Sequence, residues 1–295
     1  MKQAMIFAAG LGTRLRPLTD TMPKALVSVA GQPLLWHVLT KLKAAGYGRI
    51  VINIHHFAQQ IIDYLHANDN FGLDIRISDE TDGLLETGGG IKKARPLFDP
   101  TSPILIHNVD ILSNLDLTSL PTTDTQLVVS PRKTTRYLLF NTDMHLVGWK
   151  NIATGEVRGP ASAFPTPSRG GVPEGRGGVA PSPVSGGSPP AAPVSGGSPT
   201  TTPHSPRAQR FSAGAASSST PLAFSGIHVL SPDLLPLMDS WPDRFPIIDF
   251  YLSVCADRRI MGYVPDDLRL LDVGKLDTLD EAESFLLPPP LNIKH

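Results

Sequence analysis

Residues 4–24 read Ala4-Met5-Ile6-Phe7-Ala8-Ala9-Gly10-Leu11-Gly12-Thr13-Arg14-Leu15-Arg16-Pro17-Leu18-Thr19-Asp20-Thr21-Met22-Pro23-Lys24. The apolar run Ala4–Ala9 ends at a glycine, the pattern of a buried strand that opens into a turn. Gly10 and Gly12 free backbone N–H groups to point at an anion. Thr13 adds a hydroxyl donor, and Arg14 adds a planar cation whose fork suits phosphate oxygens. Lys24 returns a compact charge to the same neighbourhood. A structural turn with solvated cations is the plainer reading of any one of these residues, and the ensemble favours a phosphate-binding loop. A dinucleotide fingerprint would need glycine at Leu15, and a Walker loop would need Gly-Lys-Ser/Thr, so the loop is neither.

Outward from this segment the chain alternates. Leu34, Leu35, Val38, Leu39 and Leu42 have helical spacing within 33–45, with Pro33 in the first turn and Gly46 as the stop. A strand is expected over 49–54, a helix over 57–67, a strand over 73–78, a short helix over 90–97 and a strand over 103–107. Further strands are expected over 127–131, 137–140, 146–149, 222–230 and 260–264, with helices over 247–256 and 279–285. The fold class is therefore α/β, a Rossmann-like, mixed but mainly parallel sheet with helices on both faces.

Residues 159–220 break the pattern. These 62 positions hold 12 of the 29 prolines and 11 of the 26 glycines, and Phe164 and Phe211 are their only large apolar side chains. Such a composition buries too little surface to offset chain entropy, so a disordered insert is expected. Pro-Val-Ser-Gly-Gly-Ser-Pro at 183–189 recurs at 193–199, a single low-complexity duplication. One domain is expected over 1–158 and 221–288, with a tail at 289–295.

Charge and composition narrow the partners. The net charge is −1, and no Lys/Arg run or basic helix face is visible, so nucleic acid is not expected. No apolar stretch approaches the roughly 20 residues needed to span a bilayer, and Met5–Ala9 is too short for a signal-peptide core. One cysteine, Cys255, excludes an internal disulfide framework. A cytoplasmic protein, monomeric or homodimeric, is the expectation.

The quoted loop resembles the signature of the sugar-1-phosphate nucleotidyltransferases at Gly10, Gly12, Thr13, Arg14, Pro17, Leu18, Thr19, Pro23 and Lys24. The resemblance continues through Gly31-Gln32-Pro33-Leu34, Leu85-Glu86-Thr87-Gly88-Gly89-Gly90, Asn108-Val109-Asp110 and Leu271-Asp272-Val273-Gly274. Within the family, Glu86–Gly90 and Phe224-Ser225-Gly226-Ile227 look most like the N-acetylmuramate-1-phosphate uridylyltransferases. Val109 stands where the family usually has glycine, and the insert is not part of the pattern.

The family implies a glycosyltransferase-A-like fold and a Mg²⁺-dependent reaction. A sugar 1-phosphate and a nucleoside triphosphate give a nucleotide-sugar and pyrophosphate. Ala9, Gly10, Gly12 and Thr13 would then cradle the triphosphate, with Arg14 on the departing pyrophosphate and Lys24 between the reacting phosphates. Thr87, Gly88, Gly89 and Asn108 would contact base and sugar. Asp110 and Asp272 each follow an apolar run, and an isolated Asp there is more often a turn former. Their reading as Mg²⁺ ligands comes from the resemblance. N-acetylmuramate 1-phosphate with UTP is the best match. Mannose 1-phosphate with GTP, or glucose 1-phosphate with dTTP or UTP, are alternatives, and a non-catalytic nucleotide-sugar sensor is the reading from another class.

Overall fold

The computed structural model describes residues 1–159 and 219–286. Apart from Gly159, Ser219 and Thr220, the expected insert lies outside the described residues, as does the expected tail. In chain order the first elements are β1 (Lys2–Phe7), β2 (Ser28–Val29), β3 (Gln32–Pro33), α1 (Leu34–Ala44), β4 (Tyr47–Ile54), α2 (Ala58–Ala67), β5 (Asp74–Asp79) and α3 (Glu86–Ala94). β6 (Ile104–Asn108), β7 (Ile111–Ser113), β8 (Thr125–Ser130), β9 (Arg136–Phe140), β10 (Leu146–Asn151) and β11 (Val157–Arg158) follow. Beyond residues 160–218 come β12 (Thr220–Leu230), α4 (Ile247–Val254), β13 (Ile260–Tyr263), β14 (Leu270–Asp272) and α5 (Asp277–Leu286).

The main sheet runs β11-β10-β9-β12-β6-β1-β4-β5, with β8 also paired to β12 and β13 to β8. β6, β1, β4 and β5 are mutually parallel, the arrangement that alternating helices and strands impose. β12 joins antiparallel to β6 and carries the mixed half of the sheet. Strand alternation sends β1 and β4 side chains to two cores. Ala4, Ile6, Ile50 and Ile52 pack with Leu35, Leu39 and Leu42 of α1. Met5 and Val51 pack on the other face with Ile91 of α3 and Phe250 of α4. Both faces are thus covered, and the expected α/β fold is the one observed.

The third helix differs from expectation. It begins at Glu86, not near residue 90, and ends in a 3₁₀ turn over Arg95–Leu97. Three consecutive glycines disfavour a helix by about 1 kcal/mol each relative to alanine. Tertiary packing overrides this, because a Cβ on Gly88 would stand 2.3 Å from the Phe245 ring and one on Gly89 2.0 Å from the Asp243 carbonyl oxygen. The glycines let α3 sit against the 243–245 backbone.

Two short pairings set the site. β14 runs antiparallel to β7, with Asp272 opposite Ile111. β2 and β3 form a hairpin ahead of α1.

Candidate active site

A cavity of about 230 Å³ opens at the carboxyl ends of the parallel strands. Its walls come from the residues that end or follow β1, β4, β5 and β6: Phe7 to Gly10, Asn53, Glu80, and Asn108 to Asp110, with Lys24 and Thr87 alongside. Open α/β sheets bind ligands at this edge because the loops leaving each strand converge there.

The loop after β1 is held from below. The Asn53 side-chain oxygen accepts from the Ala8 N–H at 2.8 Å and the Ala9 N–H at 3.3 Å. Its amide donates to Glu80 Oε1 at 2.8 Å, and Glu80 Oε2 accepts from the Leu85 N–H at 3.3 Å. Asn53 and Glu80 are both buried. A buried, linked polar pair of this kind fixes geometry, since losing either partner leaves the other unmatched. Neither residue was singled out in the sequence. The only signal was an asparagine interrupting the apolar run Val51-Ile52-Asn53-Ile54.

Farther along, Gly12 adopts a left-handed backbone, φ +62°, where a side chain would also meet Thr19 and Lys24. Its carbonyl accepts from the Leu15 N–H at 2.8 Å and the Thr19 hydroxyl at 2.9 Å, closing the loop on itself. Thr13 and Arg14 are exposed in the 3₁₀ turn Thr13–Leu15. Gly10 is open, with nothing near the position of a Cβ.

Lys24 is only 8% exposed, and its Nζ is paired with Asp110 Oδ2. Burial of an ion pair is tolerated only when each charge has its partner. Asp272 reaches the same place through the ladder: the Val273 N–H donates to the Asp110 carbonyl oxygen at 2.8 Å. Arg14 completes the row. A Cβ on Gly274 would stand 2.6 Å from both Arg14 Nη2 and Asp272 Oδ1, so this glycine makes room for the two side chains together. Val109 is buried, and its N–H donates to the Phe7 carbonyl oxygen at 3.2 Å, tying the Asp110 segment to β1.

Ala9, Gly10, Lys24, Thr87, Asn108 and Asp110 therefore line one cavity, and Asp272 and Arg14 stand in sequence beside Asp110. Gly88 and Gly89 do not present their amides to it. Both N–H groups donate to the Phe245 carbonyl oxygen, at 2.8 and 3.2 Å. Thr87 does not cap its own helix either; its hydroxyl accepts from the Ile247 N–H at the start of α4, 3.0 Å away. His55 hydrogen-bonds the Glu80 carbonyl oxygen through Nδ1 at 2.7 Å, and the ring of its neighbour His56 packs at a tilt against Phe57.

The carboxylate set suits a hard divalent cation. Mg²⁺ takes one or two carboxylates and completes its shell with phosphate oxygens and water. Asp110 already has a cation, the Lys24 ammonium, against one oxygen, so this corner of the cleft is built to hold positive charge. Among the described residues no group of three or more His, Cys, Asp or Glu side chains converges, at this corner or elsewhere. No helix among them is long and apolar enough to cross a membrane.

Residues 3–124 match the family described as Nucleotidyl transferase. The N-acetylmuramate alpha-1-phosphate uridylyltransferase of Neisseria meningitidis serogroup B is 49% identical over 118 residues, 40% of this chain and 50% of that protein. Its namesake from Caulobacter vibrioides is 50% identical over 111 residues, 37% of this chain and 46% of the relative. The chain thus spans about half the length of the curated relatives it matches. The crystal structure of HddC from Yersinia pseudotuberculosis complexed with GMP-PN shares the fold, with a TM-score of 0.60 at 20% identity over 97% of this chain and 100% of that one. Residues 3–124, less than half of the chain, are thus similar to the nucleotidyl transferases, and the described fold is shared with a solved structure over nearly the whole chain.

Proposed function

We propose that the protein transfers a nucleotidyl group from a nucleoside triphosphate to a sugar 1-phosphate, giving a nucleotide-sugar and pyrophosphate. The observation that carries this reading is the meeting of the Gly10–Arg14 loop, the Lys24–Asp110 pair and Asp272 at one strand edge. A sugar-phosphate oxygen attacks the α-phosphorus, the new P–O bond forms, and the bond to pyrophosphate breaks. That oxygen is already ionised near neutral pH, so no general base is needed. The task left to the protein is positioning and neutralising negative charge.

The chain's residues divide that task. Open backbone at Gly10 lets the triphosphate approach, while the Asn53 amide oxygen keeps the Ala8 and Ala9 N–H groups in fixed directions. Exposed Arg14 is free to follow the leaving pyrophosphate. An ammonium has three donors, so Lys24 can keep Asp110 and still reach a phosphate oxygen. Asp110 and Asp272 would hold Mg²⁺, which when bound offsets the repulsion between two anionic reactants. Thr87 and Asn108, which line the same cavity, would contact base and sugar.

For the substrates, N-acetylmuramate 1-phosphate and UTP are the pair we favour. The support is the 49–50% identity, over 118 and 111 residues, to two relatives named as N-acetylmuramate alpha-1-phosphate uridylyltransferases. Pyrophosphate release from this pair should exceed that from GTP with mannose 1-phosphate or dTTP with glucose 1-phosphate. A preference for either of the other pairs would reassign the substrate within the same reaction.

A further inference from the structure

A second cavity, of about 180 Å³, lies on the far side of β6 from the reaction cleft. His107 faces it while the next residue, Asn108, faces the cleft, as successive strand residues must. α1 contributes Lys41, β7 contributes Ser113, and Ile111 and Leu286 add apolar wall.

His107 is 1% exposed. Its Nδ1 lies 2.7 Å from the Asn108 carbonyl oxygen, which can only accept, so Nδ1 carries the proton and Nε2 keeps its lone pair. That Nε2 has no hydrogen-bond partner among the described residues. Burial holds the ring neutral, with its pKa down to about 4. An unmatched buried acceptor destabilises the fold, and an occupant able to donate a proton would recover that loss. Lys41 Nζ donates to the Ser113 carbonyl oxygen at 2.6 Å and to its hydroxyl at 2.8 Å. An ammonium carries three donors, so one remains for the cavity.

We propose that this cavity is a second ligand site, for a compact oxyanion that also carries a hydroxyl proton. The O–H would donate to His107 Nε2, and an anionic oxygen would accept from Lys41. Hydrogen phosphate, bicarbonate and small hydroxycarboxylates share this chemistry. The two cavities share no lining residue, so the site is separate from the transferase reaction proposed above and does not depend on it.

The full chain, labelled with ¹⁵N-histidine, would be titrated in turn with inorganic phosphate, bicarbonate and lactate at constant pH and ionic strength. The expected result is a saturable displacement of the His107 ring resonance by one of the three, and the arm that saturates identifies the source. In Lys41→Met the apparent affinity should fall about tenfold or more, as loss of a charge-assisted hydrogen bond implies. Leu286→Trp, which fills the cavity from its rim, should abolish saturation and stands in if Lys41→Met fails to fold. A resonance unmoved by all three anions, as for a site holding ordered water only, would overturn the proposal. So would equal saturation in the parent and in the folded variants.

Discussion

Asp110 and Asp272, 162 positions apart in the chain, are joined through one hydrogen bond: the Val273 N–H donates to the Asp110 carbonyl oxygen at 2.8 Å. The pairing of β14 with β7 extends that link over three residue pairs, so the two carboxylates are carried on one rigid ladder. Asp110→Asn and Asp272→Asn should each lower turnover about 10²–10³-fold, the usual cost of removing a directed electrostatic stabiliser. Exposed Asp272 can be changed without loss of stability, so its variant should unfold at the parent midpoint. Near-parent turnover in both variants at saturating Mg²⁺ would remove them from the proposed site.

Lys24 has two roles that substitution separates. Its loss leaves the half-buried Asp110 carboxylate without its cation, which destabilises buried pairs by about 3–5 kcal/mol. Lys24→Met should therefore lower both the unfolding midpoint and turnover. The double variant Lys24→Met/Asp110→Asn should regain much of the stability while remaining inactive. Recovery of activity together with stability would show that Lys24 serves the fold alone.

The N-terminal loop, the parallel strands and α1 were legible in the sequence because each is local. Strand ends, glycine stops and helical spacing are short-range signals, and Leu35, Leu39 and Leu42 are buried where the pattern put them. The glycine run 88–90 was not legible as a helix, since the reason for it is the 243–245 backbone, some 155 residues on. The same distance hid the capping of α4 by Thr87. Asn53 and Glu80 escaped notice because a polar residue at a strand end has many uses, and only the fold shows which N–H groups it holds.

Gly89 and Gly10 should respond in opposite ways to alanine. A methyl group at Gly89 meets a backbone carbonyl oxygen at 2.0 Å, which cannot rotate away. The unfolding free energy of Gly89→Ala should drop by about 1–3 kcal/mol or more, the cost of overpacking. Gly10→Ala has open space and should stay within about 0.5 kcal/mol of the parent. Equal midpoints for the two variants in urea unfolding would contradict the packing described for α3.

Acid should destabilise the protein before its carboxylates titrate. Burial lowers the His107 pKa from 6.5 to about 4 and that of His228 to about 3. Between those values and 6.5 the unfolded chain binds protons that the folded chain refuses, so stability falls as pH falls through that window. Each displacement corresponds to about 3 kcal/mol or more at its lower end. Urea midpoints should decline steadily from pH 7 to pH 4, and His228→Phe should flatten part of the decline. A flat profile over that window would contradict the burial of both rings.

The proposed nucleotidyl transfer at the Lys24–Asp110 corner is tested most directly by pyrophosphate release from the purified chain. UTP with N-acetylmuramate 1-phosphate, supplied with Mg²⁺, should yield pyrophosphate and a uridine diphosphate sugar in equal amounts. Asp272→Asn, folded, should yield about 10²–10³-fold less per unit time. A folded parent protein that releases no pyrophosphate from any pairing of UTP, GTP or dTTP with these sugar phosphates would contradict it.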